Sequence, residues 1–211
     1  MAQEIQLHLH LQPSAPPDAV EQALADRLHG AAWAMRRLPD DALPALSRAS
    51  GPDLALPDLI VSLGEEDVAP LLAALAPHIL ADRSSLAAAE RHVVLEGRDR
   101  IRLFFGLRRL PALTLAEFHR YWLHHHADYG RRMIPPYSYH QLHADPARAA
   151  ALAGAAGLPA STLDGIVEVD FPDVDALIRQ LTRPDVAQDA LEDERRFIDH
   201  DRSMIWAYRV L

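Results

Sequence analysis

The 211-residue sequence contains no cysteine. Disulfide bonds, thiolate catalysis and zinc–sulfur sites are therefore excluded. Asp and Glu outnumber Lys and Arg by 30 to 21, which leaves a net charge of −9 when the histidines are neutral. This excess disfavours nucleic acid and anionic membrane surfaces as partners, because both attract basic proteins.

Several motifs that mark common functions are also missing. The chain has no Gly-x-Gly-x-x-Gly or Gly-Lys-Ser/Thr segment for nucleotide phosphates, and no Gly-x-Ser-x-Gly segment for a nucleophilic serine. No apolar run approaches the length of a bilayer span, and residues 1–6 do not resemble a signal peptide. We therefore expect a cytoplasmic protein that needs no cofactor. Its hydrophobic content of 49 % is enough for a packed core.

The region 101–143 combines extended segments with a capped helix. Apolar residues alternate over 101–109, which predicts a strand. Thr114 and Glu117 have the spacing of a capping box, in which each side chain satisfies an exposed backbone N–H of the other. The helix that they begin is predicted to extend to Tyr129 and to carry one broad aromatic face.

A second strand is predicted to end this region. Tyr139, Gln141 and His143 are two residues apart, so strand geometry places their side chains on one face. A dry core would favour valine or isoleucine at such positions. The pattern therefore favours a cavity with a polar lining.

These segments resemble the EthD family of dimeric α+β barrel proteins. In that family a helix with the pattern [ST]-x-x-E-F-x-x-Y-W-x-x-x-H-A precedes a strand with the pattern Y-x-Q-x-H. The helix pattern begins here at Thr114, and its His-Ala pair falls on His126 and Ala127. Asp128 and Tyr129 replace the Pro-Leu that commonly follows. The resemblance implies a barrel built from two four-stranded sheets.

The chain is predicted to contain the same structural unit twice. Four pairs of segments recur in the same order, and the plainest pair is 81–84 (Ala-Asp-Arg-Ser) with 200–203 (His-Asp-Arg-Ser). We predict an α+β fold in which two ferredoxin-like βαββαβ units pack sheet-to-sheet as an intrachain dimeric α+β barrel. Residues 1–98 would form a degenerate unit that lacks the Tyr-Trp and His-Ala elements. Residues 99–211 would form an EthD-like unit that carries the site.

The predicted elements follow this division. Strands are expected near 4–11, 31–37, 58–63, 90–96, 100–108, 136–143, 163–171 and 204–210. Helices are expected near 17–29, 66–76, 114–129, 145–154, 173–182 and 185–197. Because the barrel would close within one chain, we expect a monomer, or a homodimer formed through outer surfaces.

The interior of that barrel is the predicted site. On the resemblance and the shared strand face, the candidate catalytic residues are His126, Tyr139 and His143. The candidate substrate-binding residues are the aromatic and polar groups expected around the same cavity: Phe104, Trp122, Gln141, His200, His8 and His10. Glu168 and Asp170 alternate with apolar residues, and the sequence leaves open whether they face the cavity or water.

Three functions fit such a site. The first is a cofactor-independent acid–base enzyme of lyase, dehydratase, cyclase or isomerase type, acting on a small aromatic or polyketide-like substrate, with a histidine as base and Tyr139 as oxyanion partner. The second is a non-catalytic carrier of a hydrophobic metabolite in a catabolic pathway. The third is a haem- or metal-binding barrel that uses His8, His10 or His143, or a cofactor-free monooxygenase. No metal site is expected from spacing alone, because no HExxH-type motif is present.

Overall fold

A computed structural model describes residues 2–43, 55–133 and 137–211. Within these ranges eight strands form a closed barrel in which all neighbouring strands are antiparallel. The strands are β1 (Ala2–Leu9), β2 (Trp33–Arg37), β3 (Leu59–Leu63), β4 (Ser85–Leu95), β5 (Ile101–Leu107), β6 (Tyr139–Ala144), β7 (Gly165–Phe171) and β8 (Met204–Val210). Closure pairs every strand on both sides, so these eight strands leave no sheet edge exposed.

The strand order divides the barrel into two contiguous halves. Around the ring, the first four strands of the chain follow the order β4-β1-β3-β2, and the last four follow the order β8-β5-β7-β6. The halves join where β2 pairs with β8 and where β4 pairs with β6. In each half, the fourth strand of that half comes first around the ring, and its first, third and second strands follow.

The helices lie on the outer surface of the barrel. They are α1 (Pro17–Ala25), α2 (Glu65–Leu75), α3 (Leu115–Tyr121), a π-helical segment (Trp122–His126), α4 (Ala127–Arg131), α5 (Pro146–Ala156), α6 (Val174–Leu181) and α7 (Pro184–Glu194). Leu7 and Leu9 on β1 pack outward against Val20 and Leu24 of α1. No helix within the described ranges is both long enough and apolar enough to cross a membrane.

All eight predicted strands are present, with shifted ends. The largest shift is at β4, which begins at Ser85 instead of near residue 90. Its first residues include the run 87–89, three alanines that carry no strand preference of their own. Ala87 and Ala89 are buried in the core, where small side chains fit among larger ones from neighbouring strands. The predicted strand near 136–143 begins at Tyr139, and residue 136 lies outside the described residues.

The capped helix has the predicted start. The backbone N–H of Glu117 donates to Oγ1 of Thr114 at 3.2 Å, and Oε2 of Glu117 accepts from the backbone N–H of Thr114 at 2.9 Å. The helix continues to Arg131, but a π-helical segment interrupts it at Trp122–His126. The wider turn changes the direction in which the following side chains point, which helical periodicity alone does not predict.

Candidate functional site

The barrel interior contains a buried network of ion pairs. At its centre lies Glu168, none of whose surface is exposed. One carboxylate oxygen of Glu168 accepts from Nε2 of Gln6 at 2.7 Å. The other oxygen accepts from Nη2 of Arg91 at 2.8 Å and from Nη1 of Arg102 at 3.3 Å. A carboxylate removed from water requires donors of this kind, because an unpaired buried charge is very costly.

Arg102 connects this centre to a second carboxylate. Its Nε and Nη2 donate to the two oxygens of Asp170 at 2.6 and 3.1 Å, a fork geometry that suits guanidinium and carboxylate. Oγ of Ser138 donates to Asp170 at 2.9 Å. The guanidinium carbon also lies 4.3 Å from the ring centroid of Trp33. The side chain of Arg102 is therefore held on several sides.

Glu4 completes the network at the end of the barrel where β1 begins. It forms hydrogen bonds with Nε and Nη2 of Arg91, the latter at 2.9 Å, and accepts from Oγ of Ser62 at 2.9 Å. Burial by itself would lower the pKa of Arg91, but the carboxylates of Glu4 and Glu168 outweigh it and raise that pKa. Arg91 therefore carries a permanent charge fixed between two carboxylates.

His140 on β6 lies against this arginine. Its Nδ1 is 2.6 Å from Nη1 of Arg91. Burial, followed by the positive charge of Arg91, lowers the pKa of His140, so the ring is neutral at pH 7. A guanidinium can only donate, so we assign Nδ1 as the acceptor and place the ring proton on Nε2. Nε2 is buried and has no hydrogen-bond partner among the described residues.

A cavity of about 690 Å³ opens at this end of the barrel. Its polar lining comes from the network just described: Glu4, Ser62, Arg91, Arg102 and His140. Trp33, Ala31 and Ala32 supply apolar wall, while Glu96 and Arg98 are exposed residues at its margin. The volume lies within the range of about 300–1,000 Å³ that is typical of small-molecule sites. This cavity is the candidate functional site.

A smaller cavity of about 230 Å³ lies at the opposite end of the barrel, and His8 and His10 are among its lining residues. Nε2 of His8 is 3.3 Å from Oε1 of Gln6, and its ring packs edge-on against Phe104 at 5.4 Å. Burial, with a smaller effect from His10, lowers the pKa of His8 to about 4. His8 and Phe104 face the barrel interior, where they pack against each other beside the ionic network.

The predicted catalytic strand residues face the other way. Oη of Tyr139 accepts from Nε1 of Trp122 at 3.1 Å and from Nε2 of Gln141 at 2.9 Å. Nε2 of Gln141 also contacts the backbone oxygen of Trp122 at 3.2 Å, and Oε1 of Gln141 is 3.1 Å from Nε2 of His143. The prediction that these four residues line the barrel interior is wrong. They fill the layer between β6 and the helix outside the barrel, because the alternate residue His140 takes the inward position.

His143 lies in a column of stacked rings within this outer layer. Trp122 stacks on it with centroids 5.0 Å apart, His119 at 4.3 Å, and His92 lies 4.2 Å away at a tilt. Burial, with smaller effects from His119, His92 and His124, lowers the pKa of His143 to about 2. The ring is therefore neutral, and its surroundings are those of a packing residue.

His126 and His200 belong to a third cluster, also outside the barrel. Nδ1 of His126 is 2.9 Å from Oδ2 of Asp193, and Nε2 of His200 is 3.0 Å from Oε2 of Glu194. Oη of Tyr121 donates to Asp193 at 2.6 Å. These contacts join the motif helix and the turn after α7 to the end of α7 itself. The expectation that His126 and His200 share one cavity with His143 is wrong in this geometry.

The residues around the 690 Å³ cavity were not among the sequence candidates. Glu168 and Asp170, whose direction the sequence left open, face the barrel interior. Arg102 could have indicated this network from the sequence, since it lies between the apolar residues Ile101 and Leu103 of a strand expected to be buried. Charged residues are almost never fully buried unless they are paired. A search for partners of Arg102 would have indicated Glu168 and Asp170.

The histidines do not assemble a metal site in the described part of the chain. Across residues 2–43, 55–133 and 137–211, no group of three or more His, Asp or Glu side chains is placed to hold a metal ion. His8 lies inside the barrel and His143 lies outside it, so these two histidines are not placed to bind one metal ion together.

Comparison with known proteins finds one family profile that matches part of the chain, and solved structures that share its fold. The family profile of the EthD domain matches residues 110–201. A crystal structure described as a candidate chlorite dismutase aligns over 99 % of this chain and 94 % of its own, with a TM-score of 0.55 and 12 % identity. A candidate monooxygenase from Fusobacterium nucleatum subsp. nucleatum aligns over 99 % and 91 %, with a TM-score of 0.57 and 7 % identity.

A third neighbour is described as a haem-binding protein from Thermus thermophilus. It aligns over 99 % of this chain and 90 % of its own, with a TM-score of 0.53 and 11 % identity. At such identities the likeness shows the fold alone. No protein of curated function matches the sequence.

Proposed function

Because the chain carries an EthD domain at residues 110–201 on a dimeric α+β barrel fold, we propose that it binds a small aromatic or polyketide-like molecule and acts on it by cofactor-independent acid–base chemistry. The proposed site is the 690 Å³ cavity at the end of the barrel. The reaction would be of lyase, dehydratase, cyclase or isomerase type, in keeping with a role in the catabolism of aromatic compounds.

One observation carries this proposal. His140 lines the cavity, is buried, and has an Nε2 without a hydrogen-bond partner among the described residues. Leaving a buried polar group unsatisfied costs about 1–3 kcal/mol, so such groups are rare in folded proteins unless a ligand or ordered water completes them. An acceptor atom of a bound molecule would satisfy this nitrogen.

The walls of the cavity favour a flat molecule that is apolar on its faces. The apolar wall is formed by Trp33, whose indole ring also contacts the guanidinium of Arg102, and by the small side chains of Ala31 and Ala32. His140 and Glu4 are among the polar groups that line the same cavity. A ring with a carbonyl or phenolic oxygen at one end matches this distribution.

The chemistry follows from the two groups at that end. Nε2 of His140 would donate a hydrogen bond to a carbonyl oxygen and stabilise the enolate that forms when the adjacent carbon loses a proton. Glu4 is the carboxylate on the cavity wall and would accept that proton. Elimination, cyclisation and isomerisation all proceed through such an enolate.

The division of the fold supports a related proposal about its origin. Residues 1–98 and 99–211 would be two ferredoxin-like units derived by duplication, and the repeated strand order of the two halves is what this predicts. Glu4 and Arg91 belong to the first half, and Arg102, His140 and Glu168 belong to the second. The proposed site would therefore need both units, including the one without the family motif.

A haem or metal centre does not fit the residues at this site. A histidine that ligates a metal through Nε2 normally carries its proton on Nδ1 and donates it to an acceptor. Nδ1 of His140 instead faces the guanidinium of Arg91 at 2.6 Å, so it cannot carry a proton. Nε2 of His8 and Nε2 of His143 are both directed to glutamine oxygens. His126 lines neither of the two cavities described above.

A carrier function is the second candidate, and one observation favours it. Glu4 is already engaged by Arg91, Ser62 and Gln6. These donors already occupy the oxygens of Glu4, which leaves little of the carboxylate free to meet a bound molecule. If Glu4 does not accept a proton, the same cavity would bind the molecule without changing it.

Proton exchange in D₂O separates the two candidates without knowledge of the natural substrate. Acetophenone and 2-tetralone carry exchangeable protons next to a carbonyl, and ¹H NMR follows their replacement. We expect the protein to accelerate this exchange, and His140→Leu to slow it by about 10²-fold, the usual cost of removing one oxyanion donor. Glu4→Gln should also abolish it. His29→Gln, at an exposed position, is the matched control.

Binding without accelerated exchange would favour the carrier function. Failure of both ketones to bind, measured by quenching of tryptophan fluorescence, would contradict the proposed ligand class. Equal exchange rates in His140→Leu and the unsubstituted protein would remove His140 from the mechanism.

A further inference from the structure

We propose that Arg91 is a positioning residue that fixes His140 as a hydrogen-bond donor toward the cavity, so that the site selects ligands presenting an acceptor oxygen. This inference rests on the proposed function, because it concerns the same cavity. It goes further in assigning a role to Arg91, which belongs to the half without the EthD domain, and in naming what the ligand must offer.

The hydrogen bond between Arg91 and His140 can run in one direction only. All polar hydrogens of a guanidinium point outward, and none of its nitrogens accepts a hydrogen bond in proteins. With Nη1 of Arg91 at 2.6 Å, Nδ1 of His140 must present its lone pair. The single proton of the neutral ring is then on Nε2, which has no hydrogen-bond partner within the part of the chain that the structure describes.

The guanidinium of Arg91 cannot readily rotate away from His140. Its Nε and Nη2 are bound to Glu4, and Nη2 also donates to Glu168. Rotation of the guanidinium would leave both carboxylates without a main partner, and Glu168 is fully buried. Breaking a buried ion pair is strongly unfavourable, so the network holds the arginine in one orientation.

The charged groups around His140 affect whether its ring takes up a second proton. Arg91 on β4 and Arg102 on β5 oppose a second proton on the ring, while Glu168 and Asp170 on β7 favour one. Glu168 already binds both arginines and Asp170 binds Arg102, and burial adds to the opposition. His140 therefore stays neutral and donates through Nε2. It polarises a carbonyl oxygen and leaves proton removal to another group.

This assignment has a consequence for ligand choice. A carbonyl or a deprotonated oxygen would complete the hydrogen bond of Nε2, whereas a hydrocarbon of the same shape would leave the N–H buried and unpaired. Sites that hydrogen-bond a ligand in this way discriminate strongly against analogues that lack the polar atom. Acetophenone and α-methylstyrene are such a pair, since one has C=O where the other has C=CH₂.

The tautomer can be measured on the free protein. In protein labelled with ¹⁵N-histidine, two-bond ¹H–¹⁵N correlations distinguish a ring protonated on Nε2 from one protonated on Nδ1, and His140→Gln identifies the signals. We expect the neutral Nε2–H form at pH 7 and above. A ring at pH 7 that is charged, or that carries its proton on Nδ1, would overturn the assignment whatever any ligand does.

Substitution of Arg91 tests its part in this arrangement. Arg91→Met should admit the Nδ1–H form and raise the pKa of His140, whereas Arg91→Lys keeps a donor and should preserve the Nε2–H form. If Arg91→Met does not fold, the double variant Arg91→Met/Glu4→Gln removes one of the unpaired charges. An unchanged tautomer in a folded Met variant would contradict the positioning role.

Binding tests the choice of ligand. We expect acetophenone to bind about tenfold more tightly than α-methylstyrene, the effect of one net hydrogen bond. This ratio should fall toward one in His140→Leu and stay unchanged in His29→Gln. Equal affinities for the two compounds in the unsubstituted protein would overturn the selectivity. A correct tautomer with tenfold selectivity but no proton exchange would count against catalysis alone.

Discussion

The two faces of β6 have different neighbours and different chemistry. His140 points into the barrel, where it contacts Arg91 and the cavity. Tyr139, Gln141 and His143 point outward and bind one another and Trp122 in the motif helix. In this chain the Tyr-x-Gln-x-His residues lie at a helix–sheet interface, while His140, which lines the cavity, is one of the residues that the pattern leaves unspecified.

The same contrast separates the two halves of the chain. The second half carries the EthD motif, but the first half supplies Glu4, Trp33 and Arg91 to the cavity. Arg91 on β4 binds Glu4 of the first half and contacts His140 of the second half, where β4 pairs with β6. The half without the family motif therefore provides charged groups to the cavity as well.

The largest expected effect is on the outer face. Trp122 is fully buried and stacks on His143, and its Nε1 donates to Tyr139. Trp122→Ala should lower the free energy of unfolding by about 3–5 kcal/mol, since truncating a buried aromatic side chain leaves a large cavity. Urea unfolding measures the loss. Trp122→Phe, which keeps a ring, should lose clearly less, and equal losses would show that packing of the ring is not what matters.

Acidification should lower the free energy of unfolding through one histidine outside the barrel and one histidine inside it. The pKa of His143 on the outer face is lowered to about 2 and that of His8 on the inner face to about 4, in each case chiefly by burial. In the unfolded chain both histidines take up a proton below about pH 6.5. The unfolded state therefore binds more protons, and stability present above pH 6.5 is lost as the pH falls, down to the folded pKa values.

Between pH 7 and pH 5.5 this uptake should lower the free energy of unfolding by about 1 kcal/mol for each histidine, or about 2 kcal/mol together. Urea unfolding at the two pH values measures it. His143→Gln and His8→Gln should each remove about half of the pH effect. If only one of the two substitutions does so, the acid sensitivity comes from that histidine alone.

A smaller effect is expected at the start of the motif helix. Thr114→Ala removes the acceptor for the backbone N–H of Glu117 and should lower the free energy of unfolding by about 1 kcal/mol. Thr114→Ser keeps the hydroxyl and is the matched control. Thermal unfolding compares the two. A loss as large as that of Trp122→Ala would mean that the cap, and not the ring stack, holds the helix on the barrel.

Local pattern was sufficient for the elements but not for the site. Alternation and capping predicted all eight strands and the helix at Thr114. They could not decide which face of β6 is inward, because both of its faces are buried. When one face of a strand meets water, polarity identifies it; when both are covered, the alternation carries no such information. The π-helical segment at Trp122–His126 added a second change of direction without a sequence signal.

The amino-acid sequence by itself determined the chemistry that is available: no thiols, an acidic surface, a capped motif helix and charged residues within apolar strands. Only the tertiary structure decided which charges meet. Gln6 and Glu168 are 162 positions apart in the chain and 2.7 Å apart in space. Closing eight strands into one ring fixes the direction of every side chain at once, and pairing across the ring is what makes charges buried inside it stable.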